Sequence, residues 1–282
     1  MILVIGATGN VGRHVLSQLQ AMGTADVRAL VLPRDATSTR VPDGISVAVG
    51  SLDAPDGLAE ALTEIKTVFL VWPFLTTRGA PAVLEAIARH AQRLVYLSSI
   101  GVDGRSEERD DPIFKLHAGM ERLIEESGLP RTVLRADTIA SNTLSWADQI
   151  RTTGVVRGPL TAPTSVIDPR DIAAVAVRTL TDDTHVGATY RLTGPRAISR
   201  PEQVLAIGAA VGRELHFEEV AVQDARAQML ADGRPPALVD ALLSAAENRS
   251  ASSLVTSTVT DLTGNPPRSF QQWARDHRES FR

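Results

Sequence analysis

Three glycines at three-residue spacing are the first residues able to do chemistry. Gly6-Ala7-Thr8-Gly9-Asn10-Val11-Gly12 joins an apolar run to a helical pattern. A diphosphate lies against peptide N–H groups and the positive end of a helix, where side chains would block it. Gly6, Thr8, Gly9, Asn10, Val11 and Gly12 are therefore candidate residues for binding a dinucleotide. The competing reading is a tight strand–helix turn that holds no ligand. Specificity is read at the end of the second strand, where an acid would bond ribose hydroxyls and an arginine a 2′-phosphate. Leu32-Pro33-Arg34-Asp35 offers both, and Arg13 follows the last glycine, so Arg34 tips the expectation to NADPH over NADH. Arg34 as a solvated loop charge is the alternative.

A second set of residues falls further along. Ile113, Leu116, Met120 and Ile124 make one apolar stripe at helical spacing, with His117 inside it and Glu121 beside it one turn later. Lys115 lies about 200° around the wheel from Ile113 and points to solvent. His117 thus faces the sheet or a cleft. It is either a hydrogen-bond donor or general acid there, or a buried histidine satisfied by Glu121 or a backbone carbonyl. Ser98 and Ser99 end an apolar strand at its carboxyl edge, where open α/β sheets bind ligands. Ser98 is a candidate cofactor contact and Ser99 a catalytic one; both are otherwise turn serines. Trp72-Pro73-Phe74 ends the preceding strand at the same edge. Trp72 and Pro73 would wall a nicotinamide and Phe74 a flat substrate, or the three plug the core. Asn142, Trp146 and Gln149 either close that pocket from above or serve packing and capping.

Such residues need a scaffold that brings strand ends to one edge. Short apolar runs at Ile2–Ile5, Val27–Leu32, Ile45–Val49, Thr67–Trp72, Leu94–Ser98 and Thr132–Ala136 alternate with helical patterns. Those patterns cover Val11–Met22, Ala54–Leu62, Ala80–Ala91 and Pro112–Ser127. Continuous apolar strands alternating with helices predict a parallel sheet covered on both faces: an α/β, Rossmann-type doubly wound fold. After about residue 137 the rhythm changes. Gly154–Thr164 reads as a loop or small sheet, and Asp168-Pro169-Arg170-Asp171 starts a helix that runs to about Leu180. A strand near Tyr190, a helix after Arg200, a strand at Leu215–Val220 and short helices over Val222–Arg282 follow. The expected division is a dinucleotide-binding domain over 1–140 and a smaller C-terminal α/β substrate lobe over 141–282, whose chain can return to the main sheet.

Composition narrows the partners. The 282 residues are 43% hydrophobic and 22% charged, an ordinary globular balance. A net charge of −4 argues against a nucleic-acid binder. The absence of cysteine removes disulfides, thiolate metal sites and cysteine nucleophiles, and fits a reducing compartment. No apolar run is long enough to span a bilayer and no signal peptide is evident, so the expected location is cytoplasmic, with no membrane partner. The six histidines show no metal-ligand spacing, so no metal is expected, and no Gly-x-Ser-x-Gly elbow supports hydrolysis. A small-molecule substrate is the expected partner, and a homo-oligomer is possible.

The chain resembles the NmrA-like branch of the atypical short-chain dehydrogenases/reductases. The resemblance rests on the glycine motif at 6–12, Val-Tyr-Leu-Ser-Ser at 95–99, His117-x-x-x-Glu121 ahead of Ser127-Gly128, Thr-Val-Leu-Arg at 132–135 with Asn142, and Asp171-Ile-Ala. Gly50-Ser51 stands where the branch often has Gly-Asp. The resemblance implies NAD(P)H-dependent reduction of quinones and other small molecules, or cofactor binding by a regulator with little catalysis. The classical short-chain dehydrogenase dyad, Tyr with Lys four residues on, is missing: Ile100 follows Tyr96 at that offset and Gly194 follows Tyr190. The leading expectation is hydride transfer from NADPH to a flat quinone, enone, carbonyl or imine, with protons from His117, Ser99 or water. A non-catalytic redox sensor and a non-redox isomerase or cyclase on the same scaffold are the alternatives.

Overall fold

The computed structural model describes residues 1–37, 41–54, 57–102, 111–248 and 254–282. Strands β1 (Ile2–Ile5), β2 (Val27–Val31), β3 (Ser46–Val49), β4 (Thr67–Leu70), β5 (Arg93–Ser99) and β6 (Arg131–Ala136) alternate with helices α1 (Gly12–Ala21), α2 (Leu58–Ala61), α3 (Ala80–His90) and α4 (Pro112–Glu126). A 3₁₀ segment at Ala140–Trp146 leads into α5 (Ala147–Thr153), β7 (Val155–Gly158), α6 (Pro169–Thr181) and β8 (Thr189–Leu192). The chain ends with α7 (Arg200–Val211), β9 (His216–Glu219), α8 (Val222–Ala231), α9 (Pro236–Asn248), α10 (Thr258–Thr263) and α11 (Phe270–Asp276). The main sheet is parallel throughout, in the order β3-β2-β1-β4-β5-β6-β8. The doubly wound Rossmann-type fold is as expected.

The apolar runs form central strands because both faces of the sheet are covered. Val4, Ala29, Val31, Phe69, Val95 and Leu97 pack under α1 and α6. Leu3, Ile5, Leu30, Leu70, Leu94 and Tyr96 pack under α2, α3 and α4. β3 is the edge, and there Val47 and Val49 stay exposed. Asp168 caps α6 by accepting from the Arg170 N–H, with Pro169 at the first helical position.

The chain does return to the main sheet. β8 pairs with β6, and α6 packs on α1. β7, in the segment read as a loop or small sheet, pairs with β9, at the strand expected over Leu215–Val220, and the two form a small separate parallel sheet. Around it lies a second core with Ile150, Val156, Ile207, Trp273 and Phe281. α8 and α9 pack on each other, and α9 reaches α4. Among the described residues no helix is long and apolar enough to cross a membrane.

Some boundaries differ from expectation. β4 ends at Leu70 rather than Trp72, because the chain turns away and the Trp72 indole N–H donates to the Thr76 carbonyl at 2.8 Å. The helix read at Ala54–Leu62 is described only at Leu58–Ala61, and residues 55–56 lie outside the described set.

Candidate active site

The loop from β1 to α1 is shaped by what glycine lacks. Gly6 has φ +85°, and a Cβ there would lie 2.9 Å from the Val71 Cβ. At Gly12 a Cβ would lie 2.1 Å from the Gly6 carbonyl oxygen, so only glycine lets α1 begin so close beneath the turn. The Gly9 N–H donates to the Gly6 carbonyl at 3.0 Å, which closes the turn. No side chain caps α1 and no acid sits in its first turn. Thr8, Gly9 and Asn10 are exposed, while Val11 is buried in the core. The result is a bare cradle at a helix N-terminus, which fits a pyrophosphate. Arg34 sits just past β2 with a side chain 80% exposed, 3.8 Å from Asp35.

A cavity of about 840 Å³ opens at the same carboxyl edge of the sheet. Asn10, Trp72, Ser98, Ser99, His117, Asn142, Trp146 and Gln149 all line it, so the structure brings half of the predicted residues together there. Of the glycine turn, Asn10 lines this cavity, so the cradle borders it. Pro73 and Phe74 are not among the lining residues. Pro73 is exposed; Phe74 packs edge-on against Trp72 with centroids 5.1 Å apart, against the core on the α3–α4 face. Phe74 is thus a plug under the loop, and Trp72 alone presents its surface to the cavity.

Beneath the cavity floor lie two linked pairs. Period-two alternation puts Tyr96 and Ser98 on the face of β5 that α4 covers. The Tyr96 hydroxyl meets His117 Nδ1 at 2.8 Å. Glu121 accepts from the Ser98 hydroxyl at 2.5 Å, and from Arg135 Nε at 3.0 Å and Nη2 at 2.6 Å. Arg135 stands opposite Ser98 on β6. His117 is therefore satisfied by Tyr96, and among the described residues neither Glu121 nor a backbone carbonyl is its partner. Glu121 is taken by a bidentate guanidinium. Ser98 spends its hydroxyl on that carboxylate, whereas Ser99 is half-buried and accepts a long bond from the Gly101 N–H.

The electrostatics follow from burial. Tyr96 is fully buried, and desolvation with the nearby Glu121 charge raises its pKa, so the phenol keeps its proton. Desolvation also pulls the His117 pKa down to about 4, against a smaller upward pull from Glu121, so the imidazole is neutral near pH 7. No other acceptor for the Tyr96 proton occurs among the described residues. The hydroxyl then donates to Nδ1, and the hydrogen-bond network assigns the imidazole proton to Nε2. This leaves a neutral N–H donor for the cavity. His14, on α1, is partly buried. Its pKa falls to about 4, through desolvation first and then Arg13, because α1 packs on the start of α6.

Among the described residues, two cavity-lining polar atoms are buried with no partner: Asp111 Oδ2 and Ser141 Oγ. Asp111 spends its other oxygen capping α4 through the Ile113 and Phe114 N–H groups. Buried polar atoms of this kind are met by ordered water or by a polar ligand. Sequence reading missed both, along with Tyr96. The alternation along Leu94-Tyr96-Ser98 was the available signal for Tyr96. Among the described residues no group of three or more His, Cys, Asp or Glu could hold a metal.

A family model described as NAD(P)H-binding matches residues 6–183. The chain is 40% identical to a (4-alkanoyl-5-oxo-2,5-dihydrofuran-3-yl)methyl phosphate reductase of Streptomyces griseus, over 100% of this chain and 99% of that protein. It is 33% identical to an NAD(P)H azoreductase of Xenophilus azovorans, over 100% and 99%. Its fold matches an NADPH-dependent quinone oxidoreductase of Escherichia coli, solved as a complex with NADPH, at TM-score 0.81 and 22% identity, covering 98% of this chain and 99% of that one.

Proposed function

Starting from the fact that the chain belongs to the NAD(P)H-binding family of atypical short-chain dehydrogenases/reductases and is an NAD(P)H-dependent reductase, we propose that it reduces a carbon–carbon double bond conjugated to a carbonyl. The observation that carries this reading is that one cavity, lined by His117, borders the bare glycine turn at Asn10. The 40% identical relative is named for a dihydrofuranone carrying such a double bond, which supports this class over a simple ketone or imine.

When bound, the cofactor supplies a hydride. Gly6, Gly9 and Gly12 leave room for its diphosphate, Thr8 and Asn10 flank it, and Arg34 takes the 2′-phosphate that distinguishes NADPH. Trp72 shields the reacting face from water. His117 Nε2 donates a hydrogen bond to the substrate carbonyl oxygen, where negative charge grows as hydride reaches the far end of the conjugated bond. Tyr96 holds His117 in the required tautomer without giving up its own proton. Ser99 adds a second donor at the cavity floor, and water supplies the proton that completes the reduction. Asn142 and Trp146 close over the substrate.

The test is NADPH oxidation across a panel: an alkanoyl dihydrofuranone, a simple enone, menadione, a ketone and an imine. Turnover is expected with the conjugated substrates, and 4-deuterated NADPH should place deuterium at the carbon β to the carbonyl. Absence of NADPH oxidation with every conjugated substrate overturns the proposal.

A further inference from the structure

The roof of the cavity carries a charge that the reduction chemistry does not use. Arg157, Arg200 and Arg234 all line the side built by β7, α7 and the α8–α9 turn, while the carboxylates of the lining, Asp111 and Asp137, belong to the sheet side. The three arginines are not equivalent. Arg157 is answered by Glu218 at 2.7 Å, and Arg200 donates to the Pro159 carbonyl at 2.6 Å and has further partners. Arg234 makes one long bond, 3.4 Å, to the Ser145 carbonyl, and no carboxylate among the described residues pairs with it.

A guanidinium has five N–H donors and never loses its charge in a protein. Arg234 is half-buried in a wall that also contains Met229, Leu242 and Leu243. With no carboxylate beside it among the described residues, this guanidinium keeps its donors free for an anion that enters the cavity. Arg234 follows Gly233, which at φ +82° makes the turn from α8 to α9. The Ser145 contact ties that turn to the segment bearing Asn142 and Trp146.

We propose that Arg234 anchors a phosphate monoester on a side arm of the substrate, so that the ester is held at the roof while the conjugated ring meets His117 at the floor. This rests on the reductase reading above and deepens it by naming a specificity residue. The chemistry matches the phosphate ester for which the Streptomyces griseus relative is named. Arg34 is assigned to the other end of the site, on the cofactor.

The experiment compares a matched pair, an alkanoyl dihydrofuranone methyl phosphate and the corresponding free alcohol, on wild-type protein, Arg234→Ala and Arg234→Lys. Turnover is measured at saturating NADPH, and binding by calorimetry on protein loaded with NADP⁺. Arg234→Ala should weaken the phosphate ester about 10- to 100-fold in KM and in Kd, the range for losing a charged hydrogen bond. It should leave the alcohol within about twofold, and Arg234→Lys should recover part of the loss. The alcohol is the internal check that the variant is folded. Equal losses on both compounds, no loss on either, or a change confined to the KM for NADPH would overturn the inference. Arg234-dependent binding without turnover would sustain the anion site and sink the reductase reading; turnover with Arg234-independent binding would do the reverse.

Discussion

Lowering the pH should uncover His117. Its ordinary pKa of 6.5 falls to about 4 in the folded protein. Between those values the unfolded chain binds a proton that the folded chain refuses, so stability is full above 6.5 and drains away as pH falls toward 4. That interval, at about 1.4 kcal/mol for each tenfold change in proton affinity, amounts to about 3 kcal/mol. The ring lines a cavity that admits water, so this is the upper end, and about 2 kcal/mol is a fair expectation. The clean measurement is a difference. Urea denaturation of wild type and His117→Gln from pH 7.5 to 4 subtracts the carboxylates and His14, which are common to both. Glutamine offers the Tyr96 hydroxyl an acceptor and has no titration. The wild type should lose about 2–3 kcal/mol more than the variant across the window. Parallel curves would mean that His117 is not desolvated, and would refute both its neutrality and the donor role built on it.

Three further outcomes follow from the geometry. Tyr96→Phe removes the hydroxyl 2.8 Å from His117 Nδ1 and frees the imidazole to change tautomer; kcat should fall about 10- to 100-fold in the NADPH oxidation assay, with KM for NADPH unchanged. Gly12→Ala would force a Cβ to within 2.1 Å of the Gly6 carbonyl; thermal melts should show a loss of about 2 kcal/mol or more, and calorimetry a loss of dinucleotide binding. Arg34→Ala should weaken NADPH about tenfold while leaving NADH nearly unchanged, and equal effects on both would remove the 2′-phosphate assignment.

Local arguments carried far where partners are close in sequence. The Gly6–Gly12 turn, the Asp168 cap of α6, the buried central strands and the outward-facing Lys115 each depend on residues within a turn or two. The helix wheel gave the direction of His117 correctly. It could not give its reach: whether an imidazole on α4 meets Glu121 on its own helix or Tyr96 on β5 depends on how that helix sits over the sheet. The same holds for Ser98, which lines the cavity while its hydroxyl donates to Glu121, and for Phe74, read as a pocket wall but packed on Trp72.

By itself the sequence determined the glycine cradle, the doubly wound α/β class and the loss of the Tyr–Lys dyad, since each is a matter of residue type at short spacing. Only the tertiary structure decided which groups share the cavity. It joined β8 to β6, set Arg135 beside Glu121, and brought the Arg234 turn over Ser145, 89 residues earlier in the chain. Such contacts form because packing both faces of the sheet brings distant segments together, and no local propensity encodes where their side chains meet.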